Sequence, residues 1–138
     1  MATSRGFGEF SRRMLFVAKN FSRNVEDTVR KAAIAADEAL VLSTPVDTGR
    51  ARGNWQASIG TPQELIAAGI RDPSTTLDDG RQIISQWKLG IGPIFITNGV
   101  PYIVPLEEGH SQQAPSGMTK HGIAAAQAVL RTAKLIKE

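Results

Sequence analysis

The sequence predicts an α+β domain: a small antiparallel sheet packed against a long N-terminal helix and a C-terminal helix. Two observations carry this. The stretch from Phe7 to Ser43 has no proline and repeats apolar or small residues every three or four positions. Two short runs of strand-forming residues, around Trp55 and Ile94, lie between turn-rich segments and precede a second helical pattern near the C-terminus.

In the first element, Phe7, Phe10, Met14, Val17, Phe21, Val25, Ala32, Ala36 and Ala39 fall on one side of a helix. Arg12, Lys19, Arg23 and Arg30 fall within about 40° of one another on nearly the opposite side, a row that could face nucleic acid. Thr44-Pro45 ends the helix, because proline restricts the residue before it and lacks an N–H itself. A helix over 11–43 is roughly 50 Å long. A domain of this size is only about 37 Å across. Either the helix kinks or its projecting end, carrying Phe7 and Phe10, packs on something outside the monomer.

Pro45-Val46-Asp47-Thr48-Gly49-Arg50 reads as a turn, with Asp47 or Thr48 as cap and Gly49 at positive φ. Asp47 is also within reach of Arg50 or Arg52. The following strand has Trp55, Ala57 and Ile59 inward and Asn54, Gln56 and Ser58 outward. Residues 61–74 are irregular, and Leu65 to Ile70 reads equally as a strand or a helical turn. Thr75 or Thr76 caps a helix to about Trp87, with Asp78 and Asp79 in its first turn. Ile94 to Thr97 pairs antiparallel with the Trp55 strand. Pro101 and Pro105 turn Asn98-Gly99 away from a hairpin and into a short helix near Tyr102 to Glu108. The final helix runs from about Met118 to Lys137, its buried stripe being Met118, Gly122, Ala125, Val129, Ala133 and Ile136. The whole makes one domain over 1–138.

Composition narrows the function. The chain has 138 residues, 41% of them hydrophobic, no cysteine and two histidines. Disulfides, thiolate nucleophiles and sulfur-ligated zinc are thereby excluded. The longest apolar runs have five residues, too short to cross a bilayer, and no secretory signal core is present, so a non-exported protein without membrane contact is expected. Glu107 and His110 have an i, i+3 metal-ligand spacing, but Gly109 between them breaks the helix such a site needs. His121 lacks an acidic cluster, and no nucleophile elbow, phosphate loop or dinucleotide turn occurs. The expectation is a protein that is not an enzyme and uses no cofactor or metal.

The net charge of +3 divides into basic ends and an acidic middle. Such a pattern suits nucleic acid or contact between the ends of one copy and the middle of another. The loop from Gly109 to Gly117 is polar and uncharged unless His110 is protonated. Its Ser111, Gln112 and Gln113 either stay solvated or order against a neighbour. Glu107 and Glu108 are either solvated or paired with a neighbour's basic row.

Two segments, T-P-V-D-T-G-R-A-R-G-N-W over 44–55 and N-G-V-P-Y-I followed by L-E-E-G-H-S-Q-Q-A-P-S-G-M over 98–118, resemble the neck or tail-completion proteins of long-tailed bacteriophages, the group that includes the lambdoid minor tail protein Z. The element order agrees as well. Pro105 departs from the pattern, since the family usually has a longer polar residue there. The resemblance implies a non-enzymatic virion component, forming a ring commonly of six copies where the tail joins the head, with DNA passing through its centre. It further implies other neck and tail proteins as partners, and assembly in the host cytoplasm. A small basic protein binding DNA without sequence preference is the alternative.

Overall fold

The computed structural model describes residues 2–46, 49–63, 72–109, 114 and 116–135. Helix α1 (Ala2–Ser43) is continuous over 42 residues, about 63 Å at 1.5 Å per residue. It starts earlier than the apolar pattern alone suggests, and does not kink back on itself. Its end is built as expected around Thr44-Pro45. The last turn's carbonyls are capped by Arg52, whose Nε donates to Val41 O at 3.0 Å and Nη2 to Leu42 O at 3.2 Å.

Gly49, at φ 70°, opens the one-turn helix α2 (Arg50–Gly53). Strand β1 (Trp55–Ile59) pairs antiparallel with β2 (Ile94–Asn98), Trp55 opposite Asn98 and Ile59 opposite Ile94. The sheet has these two strands among the described residues. Its packing corrects the expected alternation: Asn54 and Ser58 are buried, not outward. Each finds a backbone acceptor, Asn54 Nδ2 donating to Arg50 O at 2.7 Å and Ser58 Oγ to Thr61 O at 2.6 Å. Burial of these polar groups therefore leaves their donors satisfied.

Helix α3 (Pro73–Ile84) starts earlier than the threonine caps predict. Asp72 is its N-cap, accepting from Ser74 N at 2.9 Å, and Pro73 occupies the first turn. Asp78 and Asp79 therefore lie beyond the first turn. Thr76 is buried, with its hydroxyl donating to Gly53 O at 3.2 Å. The helix stops at Ile84, and Trp87 is held by the turns that follow.

Helix α4 (Ile103–Glu107) is short, as expected. Leu106 packs on the core, whereas Tyr102 is exposed. Helix α5 (Thr119–Thr132) is shorter than its apolar pattern, because Ala133 turns extended at ψ 137°. Gly122 explains its close approach to α1: a Cβ there would lie 2.9 Å from Leu40 Cγ. Ile136 lies outside the described residues, as does the segment Leu65 to Ile70.

The central cluster is Leu40, Val41, Trp55, Ala114 and Met118, with Leu77, Ile96, Ile103 and Leu106 packed around it. The two-stranded sheet thus packs against the long first helix and the last one. No described helix is long and apolar enough to cross a membrane.

Candidate assembly surface

The two segments that carry the family resemblance meet at one end of the molecule. Trp55 Nε1 donates to Thr44 Oγ1 at 2.7 Å, and Asn98 Nδ2 donates to Ala51 O at 2.7 Å. Asn98 Oδ1 also accepts from Val100 N at 3.1 Å, fixing the exit from β2. Ala114 and Met118 from the second segment bury against Trp55 from the first. These residues therefore form a structural corner, which joins the end of α1 to the sheet and the start of α5.

Glu107 belongs to this corner. Its carboxylate accepts from Met118 N at 2.8 Å and from Thr119 N at 3.0 Å. It thus caps α5, where a carboxylate also favours the helix dipole. Burial pushes its pKa up, but the hydrogen bonds from Met118 and Thr119, helped by His121, outweigh that and hold it below the ordinary value. Glu108 is exposed. Ser111, Gln112 and Gln113, like Asp47 and Thr48, lie outside the described residues.

The opposite end of the molecule is different. Asn24 Nδ2 donates to Leu135 O at 2.8 Å, which ties the C-terminal side of α5 to α1. N-terminal to this tie, α1 runs on as an arm. Phe7 is 74% exposed, Phe10 61% and Phe16 66%, and Met14, Leu15, Val17 and Phe21 are exposed too. Phe7, Phe10, Met14, Val17 and Phe21 share one face within about 80°. Leu15 and Phe16 lie off that face, so the arm is apolar on more than one side.

Arg12, Lys19 and Arg23 are exposed along the other side of the arm. Arg30, expected to continue that row, is drawn into the fold instead. Its Nε donates to Trp87 O at 2.7 Å, and its other nitrogens pair with Glu26 at 3.3 Å and Asp27 at 3.1 Å. Glu26 Oε1 in turn accepts from Leu89 N at 3.2 Å. The cause is position: Arg30 lies beyond the tie at Asn24, where the segment after α3 packs against α1.

An apolar groove of about 400 Å³ opens between α1, β2 and α5, with Ala32, Ala36, Trp87, Ile94, Ile96 and Leu130 on its walls. The alanines leave the space and the larger side chains frame it.

Asp37 was not singled out by sequence pattern. It is 2% exposed, packs against Gly80 of α3, and its Oδ1 has no hydrogen-bond partner. Burial, reinforced by Glu38 and opposed by Arg81, raises its pKa to about 7. Its place inside an alanine-rich run between Ala32 and Ala39 was the available signal. Among the described residues there is no group of three His, Asp or Glu side chains able to hold a metal ion.

Comparison with family models, with curated proteins and with solved structures finds no match.

Proposed function

We propose that this chain is a structural virion protein that assembles as a closed ring of copies at a phage head–tail junction, joining tail to head. The observation that carries this reading is the arm. Its four phenylalanines alone leave on the order of 500 Å² of aromatic surface uncovered. With Met14, Leu15 and Val17 the apolar total approaches the roughly 800 Å² that each partner contributes to a stable interface. The area is spread over more than one side of the arm, since Leu15 and Phe16 lie off the shared face, and a run of exposed large apolar side chains of this extent marks an interaction surface.

The corner supports the same reading from the other side. The residues resembling the neck-protein group build the end of the molecule opposite the arm, where they anchor the C-terminal end of α1. The ring's contacts run between copies and to neighbouring neck and tail proteins. Its chemistry is packing and charge, with no catalytic step, cofactor or metal.

The test is mass in solution combined with a low-resolution image of the purified protein. A closed ring is expected, and Phe7→Glu with Phe10→Glu abolishes it while leaving the folded body intact. A second reading, DNA binding without sequence preference, draws on the exposed row Arg12, Lys19 and Arg23. Tight duplex binding by a monomer would favour it over the ring.

A further inference from the structure

We infer that the arm of one copy docks head to tail in the groove between α1, β2 and α5 of the next copy, with Phe7 and Phe10 as the inserted side chains. The inference deepens the ring reading and rests on it. Phe7 and Phe10 are one turn apart, about 4.5 Å along the axis, so both side chains enter one groove together. The groove holds about 400 Å³ and is lined by Ala32, Ala36, Trp87, Ile94, Ile96 and Leu130.

An arm that fills this groove comes from another copy. Phe7 stands about 33 Å along a continuous helix from Val29, where the groove begins, so a molecule cannot fill its own groove without breaking α1. Two arms packed on each other would form a two-fold contact that stops at a dimer, whereas arm into groove joins two different patches and so propagates into a ring or a filament. The face that Phe7 and Phe10 share with Met14, Val17 and Phe21 supplies much of the apolar area that one side of a stable contact contributes.

The experiment uses Leu130→Glu, which spoils the groove at a side chain exposed in the isolated copy, and the pair Phe7→Glu with Phe10→Glu, which spoils the arm. Mass is measured for the parent, each variant and their mixture, with circular dichroism as the check on folding. Each variant alone is expected to be monomeric. The mixture is expected to give a 1:1 dimer, since one intact arm meets one intact groove and the chain of contacts then ends.

Assembly of Leu130→Glu like the parent, or a mixture that stays monomeric, overturns the inference while a ring formed by the parent leaves the assembly reading standing. Open filaments that dissolve in both variants uphold the inference and overturn the closed ring. A parent that is monomeric at every soluble concentration overturns the inference. So does a parent whose arm instead binds vesicles of phosphatidylcholine and phosphatidylserine with Leu130→Glu indistinguishable from it, which would place the basic amphipathic arm on an anionic surface.

Discussion

Trp55 donates its indole N–H to the Thr44 hydroxyl at 2.7 Å, and the same hydroxyl donates to Leu40 O in the last turn of α1. One threonine thus links the end of the long helix to the first strand, inside the core. Arg52 adds a second link by capping the α1 carbonyls. The corner fixes the C-terminal end of a 42-residue helix, whose other end, beyond the tie of Asn24 to Leu135, carries the arm's phenylalanines.

Thr44→Val keeps the volume but leaves the buried Trp55 N–H without its acceptor. The expected loss is about 1–3 kcal/mol of unfolding free energy, the penalty for an orphaned buried donor. Urea denaturation monitored by tryptophan fluorescence measures it. A loss within 0.5 kcal/mol of zero, the range typical of surface changes, would mean that the link does not hold the corner.

The Glu107 cap gives an acid-side effect. A carboxyl whose folded pKa lies below its ordinary 4.5 adds stability that is present above that value and lost as pH falls through the folded one. Glu107→Gln is expected to cost about 1 kcal/mol at neutral pH, as lost caps do, and to reduce the acid sensitivity of α5. Hydrogen exchange at the Met118 and Thr119 amides as pH falls below 4.5 would show it.

The architecture was readable because its causes are local. A proline-free apolar period, the Thr44-Pro45 stop and the Trp55 and Ile94 runs specified the helix and the two strands. Asp72 was missed as a cap because the threonines after it offer the same chemistry, and the Pro73 that follows decides between them. The roles of Arg30, Glu107 and Asp37 were not legible, since each depends on a segment distant in sequence. Arg30 is claimed by Trp87 O, Glu107 by the start of α5 and Asp37 by Gly80. The exposure of the arm was legible, because helix length against domain size is simple geometry.

Asp37 predicts the opposite pH sign. Its pKa is about 7 when folded against an ordinary 3.8, so the folded state holds the proton more tightly. Its contribution is fully present below about 3.8, and is lost as pH rises toward 7. Glu38 and Arg81 face it as well, and these set the balance between charged and neutral forms. Midpoints of urea unfolding between pH 4.5 and 7.5 should fall for the parent and flatten for Asp37→Asn. A parent profile already flat across that window would remove Asp37 as the cause. Gly80→Ala, which drives a methyl into the Asp37 carboxylate, is expected to destabilise at every pH in this range.

Charge on the arm separates assembly from DNA contact. Arg12, Lys19 and Arg23 are exposed, whereas Arg30 bonds Trp87 O, Glu26 and Asp27. Replacing the first three by Gln should shift stability by no more than about 0.5 kcal/mol, the usual range for surface positions. If the row meets duplex DNA, the logarithmic salt slope of binding should shrink by roughly 0.9 for each phosphate contact removed. Arg30→Gln should do the reverse: it should lower stability by breaking the tie between α1 and the segment after α3, and leave the slope unchanged. Fluorescence anisotropy on a labelled duplex at several salt concentrations, read beside urea unfolding, distinguishes these outcomes. A slope that changes equally in both variants would show that the row does not end at the tie made by Asn24, and that the body of the protein shares the contact with DNA.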